Sequence, residues 1–368
     1  MNASLTRRHF LHGLGLASAG LGASALAAVG PIARVGGPRL KVSLNAYSFG
    51  KLLNNFALGR GAGMSLVALA EFCAKHGFEG FDPTGYYFPG YRERKLPDDK
   101  FVFELKRRAL DLGLGISGTG VGNNFTVADA AARAKDVAWI KQWAEVAAKL
   151  GAPVLRVFAD TQMRAQTWET VSNGAKRDDV EKWIADDIRA CAEHAGKFGV
   201  IIGVQNHGDF IKTADNLLSL IRRVDSPWCG AIVDTGYFRA ADPYAEMAQA
   251  APFAVNWQIK QSPLGVEKEA EAPTDLVRLL KIIRLSGYRG YLPIETLSPR
   301  GDGGANYDPH VAVPKFLAEL RAAIEATAGI APPPVADEPT PQQQTPADER
   351  PPRKPANKKK NDPPQPNA

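Results

Sequence analysis

The chain has 368 residues, 45 of them Lys or Arg and 39 Asp or Glu, for a formal net charge of +6. Arg7, Arg8 and a Lys-bearing C-terminal tail carry part of that excess, so the middle of the chain is too mildly basic to argue for a nucleic-acid partner. Cys73, Cys191 and Cys229 stand far apart; the odd count argues against a disulfide framework and the spacing against a zinc site, which leaves buried thiols.

The chain begins with Thr6-Arg7-Arg8-His9-Phe10-Leu11, a twin-arginine pattern, followed by a weakly apolar Gly- and Ala-rich stretch over 14–29. Small residues around Ala25 to Ala28 suit signal-peptidase cleavage. Residues 1–35 are therefore expected to be an export signal and short linker, with the twin-arginine export machinery as partner and a periplasmic or otherwise exported destination. The stretch is near the minimum length for a membrane span and too Gly-rich to be a good one, so cleavage is expected over anchoring, with no stable membrane insertion afterwards. At the other end, 329–368 holds repeated prolines, Gln342-Gln343-Gln344 and Lys358-Lys359-Lys360, and no aromatic residue from Ala331 onward. Such a segment buries too little apolar surface to offset its ordering entropy, so disorder is expected.

Between the ends, short apolar runs alternate with longer amphipathic ones. Strands are predicted at 40–46, 77–82, 115–118, 153–158, 200–205, 230–234, 254–260 and 291–295. Helices are predicted at 65–76 (opened by a Ser65 cap), 100–112, 128–150, 178–198, 213–224, 243–250, 274–286 and 309–326. Eight βα units over 36–328 predict an α/β fold, a single (β/α)8 barrel. An open doubly wound sheet would prefer a Gly-rich phosphate turn after the first strand, and Leu44-Asn45-Ala46-Tyr47-Ser48 is not one.

In such a barrel the polar residues at the C-terminal strand ends are the candidates for function. They are Asn45; Asp82; Ser117 to Thr119 with Asn123 and Asn124 beyond; Arg156 and Asp160; Gln205, Asn206 and His207; Asp234; Gln258 and Lys260; and Glu295. Residues two apart on a strand share a face, so Gln205 goes with His207, Gln258 with Lys260, and Arg156 with Phe158. Trp257 faces the other way, toward the helices. Asp234 and Glu295 each follow an apolar run, where a carboxylate needs a cation or a metal beside it. Tyr86, Tyr87, Phe88 and Tyr91 crowd the loop after the second strand; they suit stacking on a sugar face, or packing on one another as a lid.

Four segments together carry a resemblance: 199–208 ending Gln205-Asn206-His207-Gly208, then Asp234-Thr235-Gly236, Gln258-Ile259-Lys260 and Ile294-Glu295. They resemble the four metal-ligand strands of the xylose-isomerase-like TIM barrel family, which spans sugar isomerases, epimerases and endonuclease IV, here as an exported twin-arginine subgroup. The resemblance covers about 40–326. It implies a divalent metal held by Asp234, Glu295, Gln205 and Gln258. The family's Glu at 205 and His at 258 are both amides here. Two carboxylates and two amide oxygens would suit Mn2+ or Mg2+ better than Zn2+; His207 offers an alternative nitrogen.

The family's chemistry is proton transfer beside a carbonyl. The resemblance implies Glu295 as general base with His207 second, Asp160 and Asp209 as weaker candidates, and Lys260 or Arg156 stabilising the oxyanion. With Arg156, the residues expected to bind substrate are Asn45, Tyr86, Tyr87 and Asn124. The expected partner is a small carbohydrate, a free sugar or keto-sugar; oligomeric state is not written in the sequence. A nuclease needs a cluster of ligating histidines that six scattered His do not supply. A non-catalytic carbohydrate-binding barrel and a keto-glycoside lyase on the same site stay open.

Overall fold

The computed structural model describes residues 29–160, 166–262, 273–298 and 307–332. The twin-arginine pattern and nearly all of the proline-rich tail lie outside them, so the readings made for those segments stand as expectations.

Nine parallel strands form one sheet: β1 Arg39–Asn45, β2 Gly80–Asp82, β3 Gly115–Ile116, β4 Thr119–Gly120, β5 Val154–Phe158, β6 Ile201–Gln205, β7 Cys229–Asp234, β8 Ala254–Lys260 and β9 Arg289–Glu295. Their order is β3-β2-β1-β9-β8-β7-β6-β5-β4. The extra strand is the third barrel strand cut in two. Its first half pairs with β2 (Phe81 beside Ile116) and its second with β5 (Thr119 beside Leu155), so segment 115–120 brings the two ends of the sheet together. The cut lies where a side chain from elsewhere in the chain takes over a backbone hydrogen bond. Ser117 offers its carbonyl to Asn256 Nδ2 at 3.0 Å, and Thr119 Oγ1 donates to Pro83 O at 2.8 Å, so this stretch is tied by side chains in place of a regular ladder.

The helices are α1 Gly50–Ala57, α2 Leu66–Lys75, α3 Asp99–Asp111, α4 Ala130–Leu150, α5 Trp168–Val171, α6 Arg177–Gly196, α7 Ala214–Val224, α8 Pro243–Ala250, α9 Leu276–Leu285 and α10 Pro309–Ala326. The eight predicted from the sequence are present; α1 and the one-turn α5 were not foreseen. Side-chain oxygens cap most of them: Ser65, Asp98, Asp129, Thr213, Asp242, Asp275 and Asp308 each accept an N–H of the first turn. Such caps stabilise a helix by about 1 kcal/mol each. Helices cover the outer face of the sheet, and all six residues of β7 are buried, as expected for a parallel sheet covered on both faces. Trp257 packs on this outer side near Tyr288, with ring centroids 6.2 Å apart. The three cysteines are free and buried, and among the described residues no helix is long and apolar enough to cross a membrane.

Residues 29–34, placed in the linker by the sequence, are bound to the N-terminal end of the barrel. Ile32 N–H donates to Pro252 O at 3.0 Å, and the Arg34 guanidinium donates to the carbonyls of Pro252, Ala254 and Ser286.

Candidate active site

Strand register brings the polar residues to neighbouring levels inside the barrel. Asn45 lies beside Asp82, Phe158 beside Gln205, Asp234 beside Gln258 and Lys260 beside Glu295. Paired residues of adjacent strands point to the same face of a sheet. Asn45, Asp82, Gln205, Asp234, Gln258, Lys260 and Glu295 are all less than a tenth exposed.

Lys260 organises the cluster. Its ammonium donates to Glu295 Oε1 and lies 3.5 Å from Asp234 Oδ2. Burial by itself would lower its pKa, but Asp234 and Glu295 outweigh burial and hold the ammonium well above its ordinary value. Each carboxylate has a second, neutral partner. Gln205 Nε2 donates to Asp234 Oδ2 at 2.5 Å, and Gln258 Nε2 donates to Glu295 Oε2 at 2.5 Å. The amides are held in that orientation from behind. Gln205 Oε1 accepts from Arg156 Nη1 at 3.4 Å, and Gln258 Oε1 accepts from Asn45 Nδ2 at 3.2 Å. Flipping either amide would set oxygen against carboxylate and N–H against a donor. Asp234 Oδ1 accepts Gly236 N–H at 2.8 Å, and its backbone is clamped by Asn206, whose side chain both donates to Asp234 O and accepts from Asp234 N–H. Asn206 therefore binds the main chain of the neighbouring strand and not the cluster. Burial, with Glu295 adding to it, pushes the Asp234 carboxyl up to about 6 against the pull of Lys260.

These donors do not fit the divalent ion that the resemblance implied. Both carboxylates already face an internal ammonium, and both amides turn N–H toward the carboxylates and carbonyl oxygen away from them. Among the described residues, no three His, Cys, Asp or Glu side chains converge as a metal site.

Arg156 forms the second half of the site. Its guanidinium donates to Tyr86 OH at 2.9 Å and packs over the rings of Tyr86 and Phe158. Gly120 makes this possible, because a Cβ there would fall 2.4 Å from Arg156 Nε. Asp82 lies in the same space. Burial drives its carboxyl up to about 7, with Arg156 opposing and Glu295 adding to the rise. It was noted at a strand end but not singled out; the signal was its place before Pro83, at the same level as Asn45.

His207 shares the face of Gln205 but stays outside this network. Its ring is sandwiched between Phe158 (4.8 Å) and Tyr237 (3.9 Å), and its buried Nδ1 has no hydrogen-bond partner. Burial first, then the charges of Lys260 and Arg156, push its pKa well below the ordinary value, so the ring is neutral at pH 7.

The remaining predicted residues do other work. Asn45 also accepts from Tyr47 N–H and Thr84 Oγ1, so all its bonds hold the cluster and the following turn. Asn124 is drawn into its own loop, its side-chain oxygen accepting from Thr126 N–H and Oγ1 at 3.0 and 2.6 Å. Asp160 accepts the N–H groups of Asp209 and Phe210, and Asp209 accepts that of Trp168, so both carboxylates shape loops. Gly208, at φ +89°, packs so closely on Asp160 that any Cβ would collide with the carboxylate. The aromatic loop is folded inward and is not a row of exposed stacking faces. Tyr87 and Phe88 are buried, Phe88 and Tyr91 pack on Trp143, and only Tyr86 reaches Arg156. Tyr87 instead lines a cleft of about 530 Å³ with Tyr47, Gly50, Thr296, Tyr307 and His310. Segments 161–165, 263–272 and 299–306 follow the fourth, seventh and eighth barrel strands and lie outside the described residues.

Residues 70–321 match the profile of the xylose isomerase-like TIM barrel family, and the chain belongs to that family. No curated protein sequence matches it. Solved structures give the same architecture at low identity. A xylose isomerase domain protein from Alicyclobacillus acidocaldarius is 18% identical with a TM-score of 0.55, covering 78% of this chain and 99% of its own. The 3-keto-D-glucoside 4-epimerase of E. coli is 17% identical with a TM-score of 0.56, covering 77% and 99%. The D-psicose 3-epimerase of Clostridium cellulolyticum, solved with D-tagatose, is 15% identical with a TM-score of 0.58, covering 80% and 100%. Family and neighbours include sugar isomerases and epimerases, which supports an enzyme.

Proposed function

We propose that this barrel is an exported sugar isomerase or epimerase that moves a proton on the carbon next to a carbonyl of a free sugar or keto-sugar. The observation that carries this reading is the Glu295–Lys260–Asp234 cluster inside the C-terminal mouth, facing Arg156 and Tyr86. The kinds of sugar acted on by the neighbouring epimerases, a 3-keto-glucoside and ketohexoses, supply the substrate class.

Glu295 is the base. Each of its oxygens accepts one hydrogen bond and keeps a second lone pair. It takes the proton from carbon; the C–H electrons form the enediolate double bond, and the carbonyl π electrons move onto oxygen. Lys260 and Arg156 are the cations that stabilise this oxyanion. Asp82, a carboxyl that carries its proton up to about pH 7, returns a proton to carbon. Delivery to the opposite face of the same carbon, the oxyanion collapsing back to the carbonyl, gives the epimer; delivery to the neighbouring carbon, with the enediolate's hydroxyl proton passing to the oxyanion as the new carbonyl forms, gives the aldose–ketose isomer. Arg156 and Tyr86 orient the sugar hydroxyls. Neutral, stacked His207 is a wall of the site in this reading. No step runs through a divalent ion.

The test is solvent deuterium exchange into a panel of free and 3-keto sugars. Wild-type protein should label one carbon, and Glu295→Gln should lose ~10²–10⁴-fold of that rate. Undiminished exchange in Glu295→Gln would remove Glu295 as base; no exchange by wild-type protein with any sugar would favour a non-catalytic carbohydrate-binding barrel.

A further inference from the structure

We propose that the Lys260 ammonium is the built-in cation of this site, occupying the charge position that a divalent metal would otherwise fill, so that the barrel works without a bound metal. Three observations carry this. First, Lys260 Nζ lies within ion-pair distance of both carboxylates that end the sixth and eighth barrel strands, Asp234 and Glu295. Like charges a few Å apart in a buried site repel strongly because little solvent screens them, so a divalent ion and this ammonium exclude one another. Second, the amides at 205 and 258 are the complement of an ammonium, not of a metal. A carboxylate or imidazole at either place would bring another acceptor toward the ion; Gln205 and Gln258 instead add an N–H donor to each carboxylate. One ammonium and two amides thereby cover oxygens that a single 2+ ion would neutralise. Third, the assembly is locked from outside. Arg156 and Asn45 fix the amide orientations, Thr235 Oγ1 accepts the Lys260 backbone N–H at 2.8 Å, and Thr274 Oγ1 donates to the Lys260 carbonyl at 2.7 Å. To admit a metal, Lys260 would have to swing out and both amides flip against donors. The amides at 205 and 258 and the Lys260 ammonium thus form one interlocked unit around the two carboxylates.

A chemical consequence follows for whichever carbonyl compound binds here. The charge available to a developing oxyanion is a protonated amine, which donates a hydrogen bond and can pass on its proton. A metal ion polarises without a proton to give. The inference concerns charge and occupancy, so it does not depend on the isomerase reading, and its test is made without substrate.

Mature protein stripped with a chelator and desalted is titrated with Mn2+, free ion being read by electron paramagnetic resonance and bound metal by elemental analysis. Wild-type protein should show no saturable Mn2+ site at millimolar ion, and its melting temperature should not move. Lys260→Met should bind Mn2+ at least about tenfold more tightly, because a unit positive charge beside the ion is gone, and its melting temperature should rise with added Mn2+. The triple variant Lys260→Ala, Gln205→Glu, Gln258→His should bind one equivalent. Stoichiometric Mn2+ binding by wild-type protein overturns the proposal even if neither variant folds. So does a folded triple variant that binds no better than wild type. A wild-type protein that binds no metal and turns over no sugar leaves this inference standing and removes only the isomerase reading.

Discussion

The two sides of the barrel mouth are built on different principles. On the side of β6 to β9, Asp234 and Glu295 meet Lys260 and the amides Gln205 and Gln258, with both oxygens of each carboxylate engaged. On the side of β2 to β5, Arg156 has one tyrosine and one amide oxygen as partners, and Asp82 is buried in its field with a carboxyl raised to about 7. The first side is a closed network in which one cation answers two anions. The second holds an acid on the edge of ionisation and a guanidinium with donors to spare. The contrast separates a side whose charges are paired within the protein from a side that keeps spare donors and a raised carboxyl.

The largest break in that contrast is Lys260→Met. It leaves two carboxylates buried without their cation, a loss of about 3–5 kcal/mol when one partner of a buried pair is removed, read by urea unfolding at pH 7 along with abolished exchange. Stability unchanged by this variant would mean that the network is not held by its charge. Asp82→Asn comes next and acts in the opposite direction. The folded-state pKa of Asp82 is raised from 3.8 to about 7, so the folded protein binds the extra proton and wild-type stability falls as pH rises across that window. The Asn variant should therefore gain on wild type between pH 5 and pH 8, by an amount on the order of a few kcal/mol. An equal difference at both pH values would show that Asp82 does not titrate there. In wild-type protein, turnover that needs protonated Asp82 should decline above about pH 7, and the Asn variant, with no acid to return the proton, should lose turnover at every pH. The smallest effect is expected from Tyr86→Phe, which removes the 2.9 Å bond to Arg156. It should cost about 1 kcal/mol, seen as a higher KM with little change in kcat. A fall in kcat alone would move Tyr86 from orienting substrate to the chemical step.

Several mismatches between sequence and structure share a cause. The eight strands and their helices were readable because apolar periodicity is local, and the pairing of Gln258 with Lys260 on one face followed from the two-residue repeat of a strand. The cut in the third strand was not readable, since it depends on Asn256 reaching Ser117 from more than a hundred residues away. Asn124 and Tyr87 looked like site residues because they follow strands, yet the loops carrying them fold back on Thr126 and on the aromatic core. Asp82 was passed over for the converse reason: nothing near it in the chain shows that Arg156 and Glu295 come to lie beside it.

By itself the sequence determined the barrel and the order of its strand ends, because these rest on residue type and period, and with the family resemblance it showed that two expected ligands are amides. Only the tertiary structure decided what the amides are for. Whether Gln205 and Gln258 turn oxygen toward a metal or N–H toward a carboxylate depends on which cation stands between Asp234 and Glu295. Strands seven and eight meet there, and they place Lys260 at that point.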